Sequence, residues 1–203
     1  MRRCCRGGRV DRSTPGLTSN TPAATAAFTI VEVIVVMAII LVLAGLILAT
    51  SGYIHKKSAS SRAEAEIAAM SAGLESYKAD NGAYPSAPES NTLDARTAEP
   101  ELAAYQAASK VLFQGLSGDT DGDGQPETDA KAYMTFKSNQ LGGTDSTTFV
   151  KDPFGNSYGY STAGQAASDA GTAQTVGYNP TFDLWSTCGS TDSSGQPGWV
   201  KNW

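Results

Sequence analysis

The sequence predicts an α+β chain: a long N-terminal helix, apolar in its first half and amphipathic in its second, packed on a small antiparallel sheet. Three observations predict it. Residues 28–50, FTIVEVIVVMAIILVLAGLILAT, make an apolar run of 23 residues with a single charge, Glu32. Beyond it, Ile67, Met70, Leu74 and Tyr77 recur at spacings of three, four and three, the period of one helical face. From Lys131 the segments AYMTF, TTFV, SYGY, TVGY and TFDLW alternate with Gly, Asp, Asn and Pro, a pattern of strands and turns. A chain of 203 residues has room for one modest globular domain beside such an anchor, and not for a second large one.

The elements follow in chain order. Residues 1–27 are basic, with Arg2, Arg3, Arg6, Arg9 and Arg12 all ahead of the apolar run, and they read as a leader. As a helix the run is about 35 Å long, enough to cross a bilayer whose hydrocarbon is roughly 30 Å thick. A secretory signal core is shorter and is followed by small residues, whereas here the small residues come first. Residues 28–50 are therefore the transmembrane half of the helix. The arginines hold the leader in the cytoplasm, which places the rest of the chain outside it: a single-pass membrane protein with an extracytoplasmic domain.

Glu32 is the anomaly of the run. A carboxylate in hydrocarbon costs about 2.5–3.5 kcal/mol near a helix centre and less near an end, so it needs a partner. Cleavage between Ala27 and Phe28 would create one, because the freed α-amine of Phe28 lies four residues before Glu32 on the same helical face. The plainer alternative is a signal-anchor whose Glu32 reaches the interface, only about 6 Å along the axis from Phe28.

Residues 51–81 continue the helix as its amphipathic half, which stops near Asn81-Gly82 with Pro85 beyond. Residues 82–203 form the globular part, with a variable loop over 86–130 and the small sheet over 131–203. Within that loop Pro88–Glu99 reads as polar and irregular. Pro100–Leu116 reads as a short helix with Leu102, Tyr105, Leu112 and Leu116 inward.

Charge and cysteine usage exclude several function classes. From Ala27 onward there are 10 basic and 19 acidic side chains, so a duplex nucleic acid is not an expected partner. The one short cationic run, His55-Lys56-Lys57, adjoins the apolar segment and suits lipid headgroups. Cys4 and Cys5 fall in the leader, which leaves Cys188 alone, without a disulfide partner or a neighbouring base, and reads as a buried thiol. The sequence contains no GxSxG elbow, zinc-ligand pattern or phosphate loop, and no enzymatic activity is expected.

The sharpest local motif is GDTDGDGQPETD, residues 118–129, in which Asp119, Asp121 and Asp123 alternate before Gly124. Anions crowded on a tight turn repel one another unless a cation gathers them, and Ca²⁺ accepts six to eight oxygens with flexible geometry. Counting from Asp119, the twelfth position is Ala130, not the bidentate Glu of an EF-hand. Gln125, Glu127 and Asp129 are then the candidates to complete the shell, and Ca²⁺ is the expected cofactor.

Ala27 followed by FTIVEVIVVMAIILVLAGLI resembles the prepilin signature, in which a small residue, usually Gly, precedes Phe-Thr-Leu-Ile-Glu and a long apolar helix. Further along, Tyr77, Gly82, Tyr84 and Pro85 resemble the family's pattern at the end of that helix. KDPFGNSYGY, residues 151–160, is similar to the Asp-Pro-Trp-Gly-Asn strand-turn of type II secretion major pseudopilins. Phe182–Ser186 and the ending GWVKNW resemble their C-terminal loop.

The resemblance implies a pilin-like fold, a place in the bacterial inner membrane with the globular domain periplasmic or otherwise extracytoplasmic, and cleavage by prepilin peptidase after Ala27. It also implies methylation of the Phe28 amine and pairing of Glu32 with a neighbouring subunit's N-terminus during assembly. The implied partners are further copies of the chain, other pseudopilins or pilins, and an inner-membrane assembly platform. The implied function is a structural subunit of a periplasmic or surface filament, of a type II secretion system or alternatively of a type IV or competence pilus. A membrane-anchored, calcium-dependent binding module that never polymerises is the rival. The family's C-terminal calcium site would fall at Asp192, where the second carboxylate is missing; the alternative for Asp192 is the cap of a turn.

Overall fold

The computed structural model describes residues 28–203 apart from 97, 98 and 192, with the side chains of 49–51, 53 and 193 also left aside. The leader and Ala27 lie outside the described residues. The architecture is α+β, and the chain divides into two compact units, Met1–Ile47 and Leu48–Trp203.

Helix α1 runs over Ile30–Asn81, 52 residues. Its stretch Ile30–Leu48 is long and apolar enough to cross a membrane, and none of it is buried within the chain. Its later half buries one stripe, Ala63, Ile67, Met70 and Leu74, whereas Tyr77 stays half-exposed and packs its ring 5.3 Å from Tyr133. The helix stops where Gly82 takes a left-handed φ of 84° and returns its N–H to the Lys78 carbonyl at 2.7 Å.

Against that stripe lies α3 (Ala103–Ser117), following a short α2 (Pro88–Thr92). The two long elements come close at Gly73, where a Cβ would sit 2.9 Å from Leu116 Cδ2. Two small sheets complete the unit. β1 (Leu141–Gly142) pairs antiparallel with β2 (Phe149–Val150). β3 (Gly159–Ser161), β4 (Asp183–Ser186) and β5 (Val200–Lys201) form an antiparallel sheet with β4 in the middle. Helix α4 (Ala163–Asp169) connects β3 to β4.

The main core joins Ile67, Met70 and Leu74 to Leu112, Leu116, Tyr158, Tyr160 and Leu184. A second cluster gathers Leu93, Ala95, Tyr105, Ala108, Trp185 and Trp199. Gly159 is required there, since a Cβ would fall 2.1 Å from the Trp185 ring.

Several local expectations need correction. AYMTF forms no strand: the N–H groups of Tyr133 and Met134 both donate to the Leu116 carbonyl, at 2.8 and 2.9 Å. The segment thus satisfies an orphan acceptor at the end of α3 and not a ladder. TVGY is a turn, because Tyr178 and Asn179 donate their N–H groups to the Asp183 carboxylate at 2.8 and 2.9 Å, with Gly177 at φ 78°. Leu102 is 50% exposed, as the residue before the first turn of α3.

The polar loop Pro88–Glu99 holds α2 and two core residues. Pro88 opens the helix, the Ser90 hydroxyl is buried 2.8 Å from that of Thr162, and Leu93 and Ala95 turn inward.

Candidate functional site

Two places carry the residues that the sequence singles out, and each belongs to its own compact unit. At the start of α1, Phe28 is exposed and Thr29 precedes the first turn. The Thr29 hydroxyl accepts the Glu32 amide N–H at 3.2 Å, so Thr29 caps the helix and Glu32 occupies its first turn. Thr-x-x-Glu is the capping-box pattern, a signal legible in the sequence, and the helix dipole there favours a negative charge. Glu32 therefore has a reason to be at this helix end that involves no other chain. Its carboxylate makes no hydrogen bond or ion pair among the described residues.

The second place is the loop after α3. Gly118 ends that helix in a left-handed conformation, φ 72°, and returns its N–H to Gln114. Asp119 then turns inward until only 2% of it is exposed, and its two oxygens accept the Gly122 and Gly124 N–H groups at 2.6 and 2.8 Å. Asp121 accepts the Asp123 N–H at 3.0 Å, and Asp123 accepts that of Gln125 at 2.8 Å.

This ladder of side chain-to-backbone bonds folds the loop so that one carboxylate oxygen from each of Asp119, Asp121 and Asp123 lies within 4.8 Å of the others. Two oxygens bound to one cation at about 2.4 Å, within the calcium range, are at most twice that distance apart. The donor set therefore fits a hard divalent ion.

Of the other candidates, Glu127 is not among the converging carboxylates and accepts both the N–H and the hydroxyl of Thr120. Asp129 lines a separate cavity of about 460 Å³ with Tyr77 and Lys131. Gln125 contributes its amide to the loop, and Asp192 lies outside the described residues.

Asp145 is a residue that no sequence signal marks. It holds φ 49°, and its carbonyl oxygen would lie 1.9 Å from a Cβ at position 122, so only glycine lets the acidic loop seat against it.

Elsewhere in the globular unit the titratable groups serve structure. Burial pushes the Asp152 carboxyl above the usual carboxylate range, against hydrogen bonds from Ser186 (2.5 Å) and the backbone of Asn156 and Phe154. Burial likewise raises Asp183, whose oxygens hold the 177–179 turn. Glu66 on α1 gathers Arg62, Gln140 and Tyr158 at 3.0, 3.0 and 2.7 Å, tying the helix to the sheet side of the core. Burial, followed by that bond, raises the Tyr158 phenol, which stays protonated. Cys188 is a buried free thiol at φ 53°.

Comparison with known proteins finds no match, whether among protein-family models, curated proteins or solved structures.

Proposed function

We propose that the chain is a pilin-like filament subunit, of the type II secretion pseudopilin kind, stored in the inner membrane through α1 and polymerised after prepilin peptidase removes residues 1–27. The observation that carries this reading is the bare apolar half of α1. From Phe28 to Leu48, sixteen large apolar side chains are 47–78% exposed. At about 1.5–3 kcal/mol for each side chain removed from water, the stretch demands cover worth tens of kcal/mol.

Lipid supplies that cover in storage, and the same faces of neighbouring subunits supply it in a filament. In that packing Glu32 would be desolvated, and the α-amine of Phe28 on an adjacent subunit is the charge that matches it. The later half of the same helix is the spine of a folded domain, which supports a subunit that carries its domain with it into an assembly.

The Asp119 loop supports a calcium ion held by Asp119, Asp121 and Asp123, with water completing the shell. That convergence also favours the second reading, a membrane-anchored calcium-dependent binding module that stays monomeric.

Mass spectrometry of the chain recovered from the cell envelope tests the proposal. The expected species begins at Phe28 with a methylated amine. Recovery with residues 1–27 still attached, as single copies, would overturn it.

A further inference from the structure

The cations of α1 that follow its apolar stretch do not simply face solvent. His55, Lys56 and Arg62 line a cavity of about 620 Å³ whose opposite wall is Phe154 and Cys188. Lys56, Lys57 and Ser60 line a second, of about 210 Å³, against the same wall. Among the described residues no carboxylate lines either cavity. This concentration is notable in a chain where acidic side chains outnumber basic ones, 20 to 15. His55, Lys56 and Lys57 have no ion-pair partner among the described residues, whereas Arg62 is held by Glu66 at 3.0 Å.

The wall is built firmly. Ser186 donates to Asp152 at 2.5 Å and Asn156 donates to Thr187 at 3.1 Å, which fastens the 152–156 turn to the 186–189 turn. The Phe154 ring packs on that second turn at Gly189, which takes φ 83°; a Cβ there would lie 3.4 Å from the ring, an ordinary contact. Phe154 is thereby held half-exposed beside the lysines.

Lys56 is eight residues beyond Leu48, the last residue of the apolar stretch. A group so placed meets the headgroup layer when that stretch lies in hydrocarbon. We propose that this groove is a binding site for the phosphate headgroup of an anionic phospholipid, an inference that rests on the membrane-anchor reading above. Lys56 and Lys57 supply charge to the phosphate, Ser60 offers a hydroxyl to the headgroup oxygens, and the Phe154 ring backs the glycerol and first acyl carbons. Charge favours a lipid phosphate, and the aromatic wall favours an amphiphile over a small ion.

The test uses the full chain in a mild nonionic detergent, with retained lipid read by native mass spectrometry. Phosphatidylglycerol, phosphatidylcholine and inorganic phosphate are the probes. The wild type should retain phosphatidylglycerol in preference to phosphatidylcholine. Lys56→Gln/Lys57→Gln should reduce phosphatidylglycerol retention about 25-fold at low salt, about fivefold per lysine, with phosphatidylcholine unchanged. Both side chains are exposed, so the variant should melt as the wild type does.

Equal retention of the two lipids would overturn the proposal, as would a double variant with undiminished preference. Displacement of the lipid by millimolar phosphate would assign the groove to a free anion and overturn it. So would a variant that loses self-association but not lipid, which would assign the lysines to another copy's acidic surface. Alkaline carbonate extraction reads the anchor separately. A chain that washes off membranes yet prefers phosphatidylglycerol sinks the anchor reading and leaves the groove standing; one that stays in the pellet without that preference sinks the groove alone.

Discussion

Glu32→Gln separates the two roles open to this carboxylate, because they differ in size. Within one chain, Glu32 sits in the first turn of α1 with its amide on the Thr29 hydroxyl and no partner for its carboxylate among the described residues. Its charge then acts only on the helix dipole, worth about 0.3–1 kcal/mol. Gln keeps the third capping-box position, so even that loss is partial. Residues 48–203 form a separate compact unit and should melt unchanged.

In a filament the same substitution removes one member of a desolvated ion pair, at a cost of about 2–5 kcal/mol. That lowers the equilibrium for adding a subunit by roughly 30-fold to several thousand-fold. Filaments sheared from cells and pelleted, with the subunit detected by immunoblot, report assembly. Near-ultraviolet circular dichroism of the purified chain reports the fold. Wild-type amounts of the Gln variant in the pellet would refute the reasoning. A melting point lowered by many degrees alongside lost assembly would refute it too, by assigning Glu32 to the fold of one chain.

Further perturbations probe the globular unit. Millimolar Ca²⁺ should raise its melting temperature, by the equivalent of about 2.7 kcal/mol if the ion is present at 100 times its dissociation constant, and Asp121→Asn/Asp123→Asn should abolish the shift in a thermal melt. Because burial holds the Asp152 pKa above its unfolded value, the folded state binds the proton more tightly, and stability falls as pH climbs from the ordinary carboxylate range through the raised value. Asp152→Asn, which keeps an oxygen for the backbone donors and an N–H₂ for Ser186, should flatten that part of the curve in urea titrations run at a series of pH values. Leu74→Ala should cost about 2–5 kcal/mol by the same titrations, since Leu74 is fully buried between α1 and α3.

What the amino-acid sequence determined by itself are the features set by near neighbours along the chain. The apolar length of residues 28–50, the three-four-three stripe and the stop at Asn81-Gly82 each depend on one helical period or one backbone conformation, and α1 follows them. The alternating carboxylates of Asp119, Asp121 and Asp123 converge because each bonds a backbone N–H a few residues on.

The tertiary structure decided whatever depends on a distant partner. AYMTF has strand composition but spends its N–H groups on Leu116, 17 and 18 residues back from Tyr133 and Met134, and TVGY is bent by the carboxylate of Asp183, five residues on from Tyr178, which only the closed core buries. Glu127 and Asp129 stand close to the acidic loop in sequence, yet neither joins the three converging carboxylates: one accepts from Thr120 and the other faces a different cavity. Asp145 beneath Gly122, and the wall of Phe154 and Cys188 facing Lys56, bring together residues 23 and about 100 positions apart or more. A one-dimensional pattern cannot report such pairs, because burial and hydrogen-bond satisfaction are settled only when the whole core closes.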